Sequence, residues 1–377
     1  MKIPLLDLKA QYASIKTEVA AAINEVLESQ YFILGPKVAE LEEKIAAYSN
    51  SRYAVGVSSG SDALLISLMA LDIRPAEEVI TTPFTFFSTA GVISRLNATP
   101  VFVDIDPVTY NINPVKIEAA ITEKTRAIIP VHLYGQCADM DPILKIARKY
   151  DLVVVEDAAQ SIGAQYKGCH AGTMGDLGIF SFFPSKNLGG IGDGGMVVTN
   201  DQSLYEKLKI LRVHGSKPKY FHKTVGGNFR LDAIQAAVLL VKLNHLDSWS
   251  EKRRQNANFY DKNFKSSGLF EKADIKIPVP VYKDLDDKNY HIYNQYTLCV
   301  PSRDKLHQFL KENDIGAEIY YPLPIHLQEC FVDLGYKQGD LPEAEKASHK
   351  VIAIPIYPEL TTSQQEYIIR KILEFYQ

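Results

Sequence analysis

Apolar residues recur in two rhythms along the first two thirds of the chain. In PKVAELEEKIAAYS, Val38, Leu41, Ile45 and Tyr48 fall on one helical face. YAVGV (Tyr53–Val57) is a short apolar strand pattern. It runs into the small-residue turn of SSGSDALLISLMAL, where a helix is predicted to begin near Ser61. Further strand patterns are Glu78–Thr82, Pro100–Asp104, Arg126–His132, Leu152–Asp157, Ile179–Phe183 and Met196–Asn200. Helical stretches lie between most of them, at Ser88–Leu96, Pro114–Ala120 and Met140–Tyr150. Strands apolar on both faces and separated by helices predict an α/β fold, with a mostly parallel sheet covered on both sides.

After about residue 245 the texture changes. A charged helix is predicted over Ser250–Phe264, a strand region over Tyr290–Val300, and helices over Ser302–Asn313 and Ser363–Tyr376. The pattern divides the chain into a large α/β domain, residues 1–245, and a smaller C-terminal α+β domain, residues 246–377. No Gly/Ser/Pro linker marks the boundary, which predicts close packing of the two parts.

Composition changes this picture only by exclusion. The chain has 377 residues, 46% of them hydrophobic, with Gly and Pro near the globular average, so a disordered or collagen-like chain is ruled out. A net charge of −4 gives a nucleic-acid partner no global support. No run approaches a membrane span, and polar Asp7, Lys9 and Gln11 interrupt the N-terminus too early for a signal peptide. A cytoplasmic protein is expected. Cys137, Cys169, Cys299 and Cys330 lie far apart, which favours reduced thiols and no metal cluster.

Three candidate features fall at strand ends, where open α/β sheets bind ligands. Ser58–Asp62 joins a strand to a helix. Free backbone N–H groups there can hold phosphate, although the same residues can be an ordinary N-cap. Asp157 ends the run LVVVED, as a strand-tip carboxylate or as a helix cap. Lys186 sits in the Gly-rich SFFPSKNLGGIGDGGMVV, as a Schiff-base former or as a solvated loop lysine. Gly190, Gly192 and Gly195 spell G-x-G-x-x-G, but a strand pattern follows where a dinucleotide fingerprint needs a helix. Taken jointly, a phosphate cradle, an acid for a pyridine nitrogen and a lysine for an aldehyde are the needs of pyridoxal 5′-phosphate (PLP).

SSGSDAL, PFTFFST, VEDAAQSIGA, GDLGIFSFFPSKNLGGIGDGG and GGNFRLDAIQAAVL together resemble the DegT/DnrJ/EryC1/StrS sugar aminotransferases. The likeness runs from IPLLDL to the YPLPIH stretch ending at His326. It implies a PLP-dependent aminotransferase of fold type I. By resemblance, Lys186 matches the cofactor-linking lysine and proton shuttle, and Asp157 the acid at the pyridine nitrogen. Gln160 matches the residue beside the phenolic oxygen, and Phe86 the aromatic stacked on the ring. Gly60, Ser61 and Ser181 match phosphate contacts. Asn228 matches a residue that reaches the phosphate from the neighbouring subunit, implying a homodimer with shared sites. Arg230, His326, Tyr31 and Phe32 match substrate-side positions. His214–Lys223 reads either as a solvated loop or as a clamp for a nucleotide diphosphate.

The resemblance implies ping-pong aminotransfer with pyridoxamine 5′-phosphate as the intermediate cofactor form. The amino donor is expected to be glutamate and the acceptor a nucleotide-linked ketosugar. The expected acceptor is C3 of a UDP-linked 3-keto acetamido sugar or its uronate, for lipopolysaccharide, O-antigen or lipid A building blocks. A dTDP-3-keto-6-deoxyhexose, a 4-keto sugar, and an inactive regulatory homologue are the alternatives. Retention of Lys186 favours aminotransfer over dehydration.

Overall fold

The computed structural model describes residues 1–285 and 288–377. Helices α1 (Leu8–Ser29) and α2 (Pro36–Ser49) precede the first strand. The strands of the large part are β1 (Tyr53–Val57), β2 (Glu78–Thr81), β3 (Thr99–Phe102), β4 (Thr125–Ile129) and β5 (Val153–Asp157). The two-residue ladder β6 (Gln165–Tyr166) and β7 (Cys169–His170) follows, and then β8 (Leu177–Ser181) and β9 (Gly195–Thr199). Between and after them lie α3 (Gly60–Ala70), α4 (Ser88–Arg95), α5 (Pro114–Ile117), α6 (Met140–Tyr150), α7 (Gln202–Leu211) and α8 (Ala233–Leu243).

Seven strands form one sheet in the order β1-β9-β8-β5-β4-β2-β3. Only β9 runs against its neighbours, β1 and β8; the other pairings are parallel. Alternation along the strands sends side chains to two cores, as the two-residue period requires. Leu177 and Ile179 pack with α3, α4 and α7, whereas Phe180 packs with α2, α6 and α8. The sheet is therefore covered on both faces. Because six strands run the same way, the ends of β1, β5 and β8 and the start of β9 share one edge. All three candidate features lie there.

The pattern expects a strand over Arg126–His132, but β4 stops at Ile129. Pro130 follows and has no N–H to donate. The chain still runs alongside β5, with Asp157 N donating to Pro130 O and His132 N to Asp157 O, both at 2.9 Å. Helix α1 is not among the expected elements. Its buried positions are Gln11, Ile15, Val19 and Val26, one of them polar, and Ile15 and Val19 find their partners far along the chain at Val238 and Trp249.

The C-terminal part contains α9 (Leu246–Ser266), α10 (Leu269–Lys272), β10 (Tyr296–Cys299), α11 (Arg303–Glu312), α12 (Pro342–Lys350), β11 (Val351–Ile354) and α13 (Thr362–Phe375). Strands β10 and β11 pair antiparallel, and their apolar faces share a core with Tyr260, Leu306, Ile368 and the N-terminal Ile3. The expected strand over Tyr290–Val300 shrinks to β10. Upstream of it, Ile292 N and Asn294 N donate to Gly135 O and Tyr134 O, and Ile292 O accepts from Asn187 Nδ2, so that backbone is anchored to the large part instead.

Candidate active site

The turn after β1 is built for close approach. Ser59 caps α3, its Oγ accepting from Asp62 N at 3.0 Å, while Ser58 Oγ donates to Asp62 Oδ2 at 2.7 Å. The capping reading thus holds for Ser59. It also leaves the first N–H groups of α3, at Gly60 and Ser61, without intrahelical acceptors beside Ser181. A Cβ on Gly60 would lie 2.7 Å from Ser181 Cβ, and one on Gly195 only 2.5 Å from Ser59 O. Three segments therefore meet backbone to backbone.

At the tip of β5 two adjacent carboxylates face opposite ways. Glu156 is fully buried and holds the following loop together. It accepts from Gly172 N, Met174 N and Gly175 N at 2.6–2.8 Å and pairs with His132 Nε2 at 2.7 Å. Asp157 turns to the site edge and is 4% exposed. Its Oδ2 accepts from Thr89 Oγ1 at 2.8 Å and its Oδ1 from Ala159 N at 3.2 Å. Burial pushes this carboxyl above its ordinary range, against the pull of those two donors and of the Lys186 charge.

Lys186 lies in the turn after β8, its N–H donating to Phe183 O at 2.9 Å. Desolvation pushes its amine from the usual 10.5 down to about 8, while the Asp157 carboxylate pulls the other way. Phe86 is exposed just before α4, three residues from Thr89. Gln160 is buried, with Oε1 accepting from Tyr134 N at 2.8 Å and Nε2 donating to Tyr321 OH at 3.2 Å.

Arg230 forms an isolated bridge with Val57, and Phe229 O accepts from Ser58 N at 3.1 Å, which brings this segment against the α3 turn. Arg230 Nε is buried without a partner, while Asn228 is exposed. Tyr31 is exposed, and Phe32 packs against Val26, Ala233 and Ala237. His326 follows Ile325, whose N–H donates to Pro83 O at 2.8 Å at the start of PFTFFST. It is 1% exposed, its Nε2 lies 3.1 Å from Glu345 Oε1, and its ring sits against Tyr336. Those contacts group it with residues 336–345, not with Asp157 or Lys186. The 214–223 loop forms a small ladder, Ser216 to His222, with Lys217 on Glu206 and Tyr220 and Phe221 exposed.

A profile of the DegT/DnrJ/EryC1/StrS aminotransferase family matches residues 13–373. The chain belongs to this family. It is 54% identical over 376 residues to the pleiotropic regulatory protein of Geobacillus stearothermophilus, covering 100% of this chain and 99% of that one. It is 43% identical over 362 residues to the UDP-N-acetyl-3-dehydro-alpha-D-glucosamine 3-aminotransferase of Acidithiobacillus ferrooxidans, covering 96% and 95%. The crystal structure of S. venezuelae DesV in complex with a ketimine intermediate superposes with a TM-score of 0.94 at 40% identity, covering 100% and 99%. This DegT/DnrJ/EryC1/StrS chain is a sugar aminotransferase of the PLP-dependent class, with the fold type I architecture.

The residues fit that cofactor. A desolvated amine senses a buried carboxylate, a helix start stripped of side-chain bulk lies alongside, and Arg230 keeps an unused donor nearby. Three participants were not singled out in the sequence: Thr89, Tyr321 and Glu156. Thr89 and Tyr321 lie inside the motifs PFTFFST and YYPLPIH, but nothing local marks them, because their partners are 68 and 161 residues away. Glu156 had a signal, a second carboxylate beside Asp157 on a strand whose side chains alternate.

Proposed function

We propose that this chain transfers an amino group from glutamate to C3 of a UDP-linked 3-keto acetamido sugar or its uronate. The product would serve lipopolysaccharide, O-antigen or lipid A assembly. The observation that carries the chemistry is Lys186 in the turn after β8, at the same end of the sheet as the buried carboxylate of Asp157 on the neighbouring strand β5. The name of the Acidithiobacillus relative supports the acceptor.

When bound, PLP supplies an aldehyde for the lysine amine and a ring that stores the electron pair left by C–H cleavage. Asp157, braced by Thr89 and Ala159 N, holds a negative charge for the pyridine nitrogen. Lys186 Nζ takes the proton from the donor carbon and later returns one to the acceptor carbon. An amine shifted toward neutrality is suited to both steps. Gln160, fixed by Tyr134 N and Tyr321 OH, and the exposed ring of Phe86 would help hold the cofactor ring. Gly60, Ser61 and Ser181 would offer N–H and O–H donors to the phosphate, and Asn228 would join them from a second copy. Arg230, Tyr31 and Phe32 meet the nucleotide sugar.

The Geobacillus relative's name favours a second reading, a regulatory role. Regulation alone requires neither Lys186 nor Asp157, and both are present and positioned. A panel of UDP- and dTDP-linked 3-keto and 4-keto sugars, generated in situ with glutamate, tests the acceptor. We expect turnover of the UDP-linked 3-keto compounds and its abolition in Lys186→Ala. Turnover of 4-keto sugars alone overturns the C3 assignment, and full activity in Lys186→Ala overturns the mechanism.

A further inference from the structure

Two side chains of α8 grip the glycine-rich loop that carries Lys186. The loop closes on itself, with Lys186 N donating to Phe183 O at 2.9 Å and Gly190 N to Phe182 O at 2.8 Å. A Cβ on Gly189 would run into Pro184 O, so the end of the loop lies flat against its beginning. Gln235 Oε1 accepts from Ile191 N at 2.8 Å. Two turns further along the same face of the helix, Lys242 Nζ donates to Gly189 O at 2.6 Å.

Lys242 is costly where it stands. A lysine on a helix ordinarily sends its amine to water. This one turns inward and is 7% exposed, and among the described residues no carboxylate pairs with it. Burial pushes its amine down to about 8. Gly189 O is a neutral acceptor, which offsets only part of the cost of taking a cation out of water. Stability alone would favour an apolar residue at this position. The carbonyl that it holds lies three residues from Lys186. On the other flank Asn187, 5% exposed, donates Nδ2 to Ile292 O at 3.0 Å. The turn is therefore held on both sides of the lysine.

We propose that Lys242 is a positioning residue for Lys186: by holding Gly189 O it fixes the backbone turn from which the Lys186 side chain projects. The proposal rests on the aminotransferase reading above and adds to that same site a residue that acts through the backbone. A fixed turn spares the amine a search among loop conformers each time it must meet the cofactor or a reacting carbon.

The test compares the wild type with Lys242→Met, which fills similar space without charge or donor, and Lys242→Arg, which keeps a charged donor. In the cofactor-free protein at pH 7, Lys242→Met should melt no lower than the wild type, because a poorly compensated charge has gone. Hydrogen exchange in peptides covering residues 182–191 should nonetheless be about 10- to 100-fold faster, the loss of one charge-assisted hydrogen bond. Uptake of PLP, read as the growth of its visible band on Lys186, should slow by a similar factor in Lys242→Met and recover in part in Lys242→Arg. The rate at which glutamate bleaches that band should fall, while KM for glutamate stays within about twofold. Unchanged exchange at 182–191, or unchanged growth of the band, in Lys242→Met overturns the inference. So does faster exchange along the whole chain with a lower melting temperature, the signature of a residue that only packs. If glutamate leaves the wild-type band untouched, the aminotransferase reading fails, while exchange and band growth still decide the role of Lys242.

Discussion

Lys186 shows how a folding cost becomes a chemical asset. Burial holds its amine at about 8 against 10.5 for a free lysine, so roughly a tenth of the amine is neutral at pH 7 instead of a negligible fraction. The same shift means that the folded chain binds this proton less well than the unfolded chain does. Stability from this group therefore rises with pH between about 8 and 10.5, and the penalty is fully present below about 8. Lys186→Met, close in volume and uncharged, should raise the melting temperature of the cofactor-free protein near pH 7. The advantage should shrink as pH climbs through 8 toward 10. Thermal melts across that range check this, and a gap independent of pH would show that the amine is not desolvated. Asp157 answers in the opposite sense, since burial raises its carboxyl and a cationic ring nitrogen would bring it back down.

Between elements, the decisive contact is the one among the start of α3, the end of β8 and the start of β9. Gly60 has room for no Cβ, because Ser181 Cβ would be 2.7 Å away and its Cα 3.3 Å away. Gly60→Ala must therefore push α3 off β8. Overpacking of this kind costs about 1–3 kcal/mol, which predicts PLP affinity about 10- to 100-fold weaker. Titration of the apoprotein measures it. Adding Ser181→Gly should recover part of the melting temperature lost in Gly60→Ala by restoring space, and no recovery in thermal melts would assign the effect to the backbone of α3 itself. This geometry explains what the sequence could and could not disclose. Strand-then-turn signals such as YAVGV before SSGSD and LVVV before Glu156-Asp157 are local, so the sheet edge and its candidate residues were legible. The boundary of β10 was not, because residues 292–294 bond to residues 134–135 in place of a strand partner. Helix α1 and the contact of Tyr321 with Gln160 were hidden for the same reason, since their partners lie in distant sequence. His326 carried a motif position, yet Glu345 and Tyr336 hold it.

For the whole molecule, the net charge of −4 opposes both proposed ligands, which are anionic, so binding has to come from local donors at the sheet edge and from Arg230. The surface near that edge is also unusually apolar for a lone chain. Tyr31 is 64% exposed, Phe86 57%, Phe183 52% and Ile191 51%, and Asn228 is exposed although its neighbour Phe229 is hydrogen-bonded to Ser58. Rings left open beside a polar site are what a second copy of the chain would cover. If Asn228 serves the partner's phosphate, each site needs Lys186 from one chain and Asn228 from the other. Lys186→Ala and Asn228→Ala homodimers should then both be impaired, while a mixture reassociated after mild denaturation should regain activity. Random pairing makes half the dimers hybrid, and each hybrid contains one intact site and one doubly damaged site. The expected recovery is about a quarter of wild-type turnover. If Asn228 acted within its own chain, no hybrid site would be whole, since each would lack one residue. Activity that stays at the average of the two parents after mixing, with exchange verified by a tagged subunit, would overturn shared sites.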